Sequence, residues 1–216
     1  MIDRTFSVIG FGKRCESIAS QLNTEGIGVG WDRDTRLLMI LVDNDESDDF
    51  VVRLCKKVKE KQCCIVFLCL SSELAFAALQ EVADGILVND NEQEVLSIVR
   101  TLKRVIYMYN LLSYDINDVI HFLRTKQVGT IRIQEHQFPG LLFSQVDKFE
   151  FPHNEKMPFR HLTFINLCQQ PDESLFEELG SVLNNYDEDF SLNSMVYDAE
   201  ADCSTFVIIS ITTTIQ

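Results

Sequence analysis

The chain has 216 residues, of which 46% are hydrophobic, and a formal net charge of −14. That length and composition suit one large packed unit or two small ones. The acidic balance argues against a nucleic-acid or anionic-membrane face, which calls for clustered cations, and no uncharged run approaches the ~18 residues that cross a bilayer.

The first segment, MIDRTFS, lacks the basic flank and apolar core of a signal peptide. The 7 cysteines fall mostly in apolar runs (Cys63, Cys64, Cys69, Cys168) and read as reduced, buried thiols of a cytoplasmic protein. Most of the acidic excess lies in residues 128–216, where Arg132, Lys148, Lys156 and Arg160 are the cations. A well-solvated acidic surface accounts for it.

Apolar runs alternate with helical periodicity along the first half. Thr5–Gly10 reads as a buried strand, Arg14–Leu22 as a helix closed by Asn23–Gly26, and Arg36–Val42 as a second buried strand. Asp48–Lys61 reads as an amphipathic helix with Phe50, Leu54 and Val58 on its apolar face. Cys63–Leu70 and Gly85–Val88 read as strands around a helix over Glu73–Val82. Val95, Ile98, Val99, Leu102, Ile106 and Tyr109 mark one face of a long helix from Glu92 to about Tyr109. A second helix follows over Asp115–Thr125, with Asp115 placed to cap it. Beyond it, strands are predicted at Gly129–Gln134, Leu141–Phe151, Leu162–Cys168, Ser194–Asp198 and Thr205–Thr213, with a helix at Asp172–Leu183 opened by Pro171. Strand–helix alternation implies parallel pairing with right-handed crossovers. The expected fold is α/β: a three-layer parallel-sheet N-terminal domain, a long connecting helix and a smaller α+β C-terminal domain. The expected divisions are 1–110, a connector at 111–127, and 128–216.

Two stretches carry candidate chemistry. In SVIGFGKRCES a strand runs through Gly10 and Gly12 into Lys13, Arg14 and a helix. Glycines at such a turn let backbone N–H groups approach a phosphate. Here the last position of G-x-G-x-x-G is Cys15, and Asp32 and Asp34 fall in a loop instead of at a strand end. The P-loop pattern also fails, since Ser7 takes its first glycine and Arg14 its Ser/Thr. A tight strand-to-helix turn explains the pair of glycines equally well. In MILVDNDESDDF, Asp43, Asp45, Glu46, Asp48 and Asp49 follow a strand. This density suits Mg²⁺, or an acid-rich first turn capped by Ser47 or Asp48. A phospho-receiver reading lacks its acceptor aspartate, because the next strand ends in Ser71 and Ser72. His121, His136, His153 and His161 are scattered, without zinc spacing. Trp31 reads as core edge and not as a base-stacking platform.

The stretch LLSYDINDVIHFLRTKQVGTIRI, Leu111–Ile133, resembles the central loop and following helix of the FtsZ branch of the tubulin family. The match runs through Leu111, Leu112, Ser113 in place of Asn, Asp115, Asp118, Val119 and Gly129. EVLSIVRTLKRVIYMYN resembles the helix entering that loop, and FSVIGFG resembles the first glycine loop. RHLTFINLCQQPDESLFEELGSVL and STFVIISITTT resemble the strand, helix and last strand of the second domain. The resemblance implies a GTP-binding, filament-forming fold in which acids of the central loop serve the neighbouring subunit's nucleotide; Asp115 and Asp118 occupy those positions.

The departures bear on function. Where the family carries a glycine-rich signature, this chain has DNDESDD, and carboxylates facing a triphosphate in a poorly solvated pocket repel it. The segment between the first two strands is also shorter than the family's. The expectation is a non-catalytic FtsZ/tubulin-like protein that binds no nucleotide. It would act through self-association or contact with a related filament subunit, with Ser113, Asp115 and Asp118 as interface residues. The phosphate loop would be a degenerate one of Gly10, Gly12, Lys13 and Arg14, opposed by Asp43, Asp45, Asp48 and Asp49. No metal, cofactor, nucleic acid or membrane insertion is expected. The alternatives are a divergent GTPase using GTP and Mg²⁺, and a metal-dependent or phospho-accepting sensor built on the acidic loop.

Overall fold

The computed structural model describes residues 5–43, 48–71, 76–108, 115–138, 159–168, 170, 173, 177, 191–198 and 201–213. Its elements in order are β1 (Phe6–Phe11), α1 (Lys13–Thr24), β2 (Gly28–Val29), β3 (Leu37–Val42), α2 (Asp48–Lys59), β4 (Cys64–Cys69) and α3 (Phe76–Gln80). There follow β5 (Gly85–Val88), α4 (Glu92–Tyr107), α5 (Ile116–Leu123), β6 (Val128–Phe138), β7 (Phe159–Leu167), β8 (Ser191–Tyr197) and β9 (Ser204–Thr213).

LLMILV and CIVFLC, the sequences of β3 and β4, are buried at every position. A strand with no polar alternation is stable only when both of its faces are covered. Helices cover both. Leu37, Met39 and Leu41 face a core shared with α1, α4 and α5, while Leu38, Ile40 and Val42 face a second core that includes Val51, Cys55, Val58 and Leu79 of α2 and α3. Burying one such side chain stabilises by about 1.5–3 kcal/mol, so these alternating rows account for much of the fold's cohesion.

Among the described residues, nine strands form one sheet in the order β2-β1-β3-β4-β5-β6-β9-β7-β8. The pairs from β2 through β6 are parallel. β9 then runs antiparallel to both β6 and β7, and β7 pairs parallel with β8. The larger core continues under both parts of the sheet, joining Phe122 of α5 with Leu162, Phe164, Val207 and Ile209. The Phe6 backbone N–H donates to the Tyr107 hydroxyl at 2.9 Å, which ties the end of α4 to the start of β1.

Four features of the structure differ from or add to the sequence expectations. Gly28–Val29, for which no element was predicted, forms the short edge strand β2 against Ser7 and Val8; two residues carry no periodicity to detect. In α2 the buried line is Val51, Cys55 and Val58, and Phe50 is 58% exposed. Spacings of 50/54/58 and 51/55/58 both satisfy a 3.6-residue period, and only the docked helix chooses between them. β6 extends to Phe138 because β9 supplies a partner for every residue from Gly129 to Phe138. α4 ends at Tyr107 with Met108 in extended backbone. The predicted strand at 141–151 lies outside the described residues. Of the predicted helix at 172–183, Glu173 and Glu177 are described, and both are helical. Trp31 packs, half-buried, against the smaller core.

Candidate functional site

The order β2-β1-β3-β4-β5 makes the gap between β1 and β3 a topological switch point, where the chain's crossovers diverge to either side of the sheet. Ligands of doubly wound sheets bind at the carboxyl ends of the strands at such a point. Gly10 and Gly12 stand there. A Cβ on Gly10 would lie 2.1 Å from the Cys15 carbonyl oxygen, so only glycine lets the first turn of α1 fold back over β1. Gly12 takes φ 89° as the N-cap of α1 and offers no side-chain cap. The tight turn from β1 into α1 therefore depends on both glycines.

Arg14 stands at this point, partly exposed. Its Nε donates to the Glu92 carboxylate, its second terminal nitrogen donates to the Asp90 carbonyl at 3.2 Å, and its remaining one lies 3.8 Å from Asp43 Oδ2. The guanidinium thus spans the ends of β1, β3 and β5. The Glu92 hydrogen bond, opposed by partial burial, holds Arg14 above its ordinary pKa, and the charges of Glu92 and Asp43 add to the effect. Burial pushes the Cys15 thiol up to about 12, with Asp43 reinforcing it. Phe50, beside Phe11 in an edge-to-face contact at 5.9 Å, stands at the same strand ends.

The far wall of the crevice is built by Asn89 and Asn91. Asn89, only 1% exposed, donates to the Ile131 carbonyl at 2.8 Å and to Glu94 at 2.9 Å, and accepts from the Asn91 amide. Asn91 caps α4 by accepting from the amides of Gln93 and Glu94. These residues were not among the sequence candidates, although Asn91 followed three residues later by Glu94 is a helix-start signature. Arg132 closes this side, 3.3 Å from Asp90 and 3.7 Å from Glu94.

The central-loop acids occupy the opposite edge of the sheet. Asp115 and Asp118 form a reciprocal capping box on α5: Asp115 Oδ1 accepts from the amides of Asn117 (2.6 Å) and Asp118 (3.3 Å), and Asp118 Oδ2 accepts from the Asp115 amide (2.8 Å). Desolvation works to raise the Asp115 pKa, yet the Asn117 and Asp118 hydrogen bonds and nearby Arg36 hold it below the ordinary value. Both acids are thus engaged by their own helix, while Asp115 keeps an exposed side chain. Asp45, Glu46 and Ser113 lie outside the described residues, and Asp48 and Asp49 open the backbone of α2. Lys13 is exposed at the first position of α1. Asp32 and Asp34 sit together in a turn, the Asp32 carboxylate accepting from the Asp34 amide at 2.9 Å, and are not at the crevice. Among the described residues, no group of three or more His, Cys, Asp or Glu side chains is placed to hold a metal ion. No helix among them is long and apolar enough to cross a membrane.

No protein-family model matches the sequence, and no curated protein matches it. Solved structures do. An empty FtsZ dimer from M. jannaschii superposes with a TM-score of 0.66 at 11% identity, over 96% of this chain and 87% of that one. The chain has an FtsZ/tubulin-like fold. CetZ from Methanosaeta thermophila gives a TM-score of 0.59 at 11% identity, covering 99% of this chain and 86% of its own. TubZ of Bacillus thuringiensis serovar israelensis, in a GTPγS-form protofilament, gives 0.50 at 13% identity over 99% and 70%. Within this FtsZ/tubulin-like fold the ends of β1 and β3 meet across Arg14 and Asp43.

Proposed function

We infer that the protein is a non-catalytic FtsZ/tubulin-like protein that works through protein contacts, either with copies of itself or with a related filament subunit. The observation that carries this reading is Arg14, held by Glu92, Asp43 and the Asp90 carbonyl in the crevice at the switch point. A phosphate entering there has to displace a guanidinium from its carboxylates and then face Asp43 and Glu92 across a short distance. Like charges brought together away from bulk water repel strongly. The acidic sequence after β3 adds to that repulsion.

In this reading residues 1–110 are a degenerate nucleotide-binding-like part, 111–127 a connector, and 128–216 the smaller second part. A reducing, cytoplasmic setting accords with the cysteines: Cys55, Cys63 and Cys69 pack as small apolar side chains, and burial pushes each thiol to about 12. The likeness to a TubZ protofilament and an FtsZ dimer supports self-association.

Isothermal titration with GTP and GDP, with and without Mg²⁺, tests the reading. No heat of binding up to millimolar nucleotide is expected, and micromolar affinity would overturn it. The divergent-GTPase alternative draws on the retained Gly10–Gly12 turn. It requires phosphate release at high protein concentration, abolished by Asp115→Ala; the expected result is no turnover above the rate without protein.

A further inference from the structure

One side of α5 is apolar and packs into the larger core through Ile116, Val119, Phe122 and Leu123. Another side is polar, with Asn117, His121 and Arg124 recurring at four- and three-residue spacing along one stripe. Together with Arg36, Gln62 and Cys64, this stripe lines a cleft of about 440 Å³ at the amino-terminal ends of β3 and β4. Small-molecule sites span roughly 300–1,000 Å³ and are mostly apolar. The lining here is mostly polar, which suits a charged guest. Arg36, His121 and Arg124 are exposed, so the cleft is open to solvent.

The walls come from different elements and are tied to one another. Arg36, just before β3, reaches across to α5 and donates one terminal nitrogen to Asn117 Oδ1 at 2.5 Å. A guanidinium carries five N–H donors, so this bond positions Arg36 without exhausting it. Arg124 stands at the other end of the stripe as the C-cap of α5, seven residues after Asn117 and thus about 10 Å further along the helix. Arg160 fixes that end by donating to the carbonyls of His121 (3.3 Å) and Arg124 (2.6 Å). On the floor, the Cys64 amide donates to the Arg36 carbonyl at 2.8 Å. Burial pushes the Cys64 thiol up to about 11, so it stays neutral beneath the two cations. Gln62 holds φ 60° just past α2. Glycine is the usual residue in that conformation at a helix end, and a side chain there costs about 1–3 kcal/mol. Here the position carries a carboxamide on the wall of the cleft.

The nearby carboxylates are engaged by backbone amides. Asp118 Oδ2 accepts from Asp115 (2.8 Å), Asp115 Oδ1 from Asn117 (2.6 Å), and Asp84 Oδ2 from Ile65 (2.9 Å). The last turn of α2, shortly before Gln62, adds Lys56, Lys57 and Lys59.

We propose that this cleft is a binding site for a small dicarboxylate, with one carboxylate on Arg36 and the other on Arg124. A guanidinium fork matches the two oxygens of one carboxylate with two parallel hydrogen bonds. Two forks anchored at opposite ends of one helical stripe match two carboxylates on a short chain better than the single centre of a phosphate or a monoacid. Gln62, Asn117 and His121 supply polar groups along the stretch between them. The site depends neither on the Arg14 edge nor on self-association, so its failure leaves the reading above untouched.

Calorimetric titration of the full chain with glutarate and with adipate is the test, at constant ionic strength so that screening does not change. Saturable binding at one site is expected. Acetate, which occupies one fork, is expected to bind at least about tenfold more weakly. Arg36→Gln and Arg124→Gln are each expected to weaken diacid binding by about tenfold, the loss of one charge-assisted pair. Arg53→Gln, at an exposed position of α2, is expected to leave it unchanged. Amide chemical shifts of isotope-labelled wild type need no variant. Adipate is expected to move Gln62, Asn117 and Arg124 and to leave Gly10, Gly12 and Arg14 in place. Absence of saturable binding for both diacids, or shifts confined to other residues, overturns the site. Acetate or inorganic phosphate binding as tightly as the diacids overturns the dicarboxylate assignment. Glutamine variants with native circular dichroism and wild-type affinity overturn the roles of the two arginines.

Discussion

At the carboxyl ends of β1, β3 and β5, acids gather around one guanidinium and are balanced by Arg14 and Arg132. At the amino ends of β3 and β4, Arg36 and Arg124 flank an open pocket, with the lysines of α2 close by. Both edges are built on the same fully buried strands, so the contrast owes nothing to the core. Side chains at strand ends leave the packed interior unchanged when they change sign. One fold can therefore carry different charge patterns at its two edges without any change in its core.

The largest expected effect breaks the first edge. Gly10→Ala places a methyl group inside the Cys15 carbonyl, and overpacking against backbone costs about 3 kcal/mol. Urea unfolding is expected to show that loss, and a change below about 0.5 kcal/mol would show that the turn tolerates a side chain.

The next effect concerns the second edge. His161, beside Arg160 at the start of β7, is buried, and burial lowers its pKa from 6.5 to about 4. The unfolded chain therefore takes up a proton below 6.5 that the folded chain refuses until about 4. His161's share of stability is whole above pH 6.5 and is lost as pH falls through 4, on the order of 3 kcal/mol in all. Melting temperature measured from pH 7 to 4 is expected to fall less steeply in His161→Gln than in wild type. Parallel slopes would refute the assignment.

Asp115→Ala removes the acceptor for two amides of α5 and is expected to cost about 1 kcal/mol. Because the folded pKa of Asp115 is lowered, its contribution is present above the ordinary carboxylate value and disappears as pH falls through the folded one. A thermal melt at pH 7 that matches wild type would show that the capping box contributes nothing.

The smallest effect sharpens the comparison most. Arg14→Ala removes a partly exposed ion pair, worth roughly 0.2–1 kcal/mol, and leaves Asp43 and Glu92 facing each other across the crevice. Its melting temperature is expected to rise on adding millimolar Mg²⁺, while that of wild type stays level. Equal responses would mean that Arg14 does not govern the charge of this edge.

Much of this was legible along the chain. The apolar runs of β3 and β4, the long face of α4 and the Asp115 cap follow from local rules, because burial on both faces, helical period and capping each leave a signature within a few residues. Asp43 and Arg14 were also visible as opposed charges near one turn. Asn89, Asp90 and Glu92 were not singled out, since their importance comes from standing beside β1, some eighty positions away. Arg36 and Arg124 were silent for the same reason. Nothing in either neighbourhood says that α5 lies under the strand starts.

The sequence by itself determined the class of fold, the turn at Gly10 and Gly12, and the run of acids after β3, all of which depend on residues that are neighbours in the chain. The tertiary structure decided that Gly28 and Val29 pair as an edge strand, that Val51 and not Phe50 faces the core, and that Arg14 reaches Glu92. It also brought Arg36 and Arg124 to one pocket. Those outcomes depend on which distant segments the sheet order brings together, and pairing between distant strands and helices is set by the packing of the whole core.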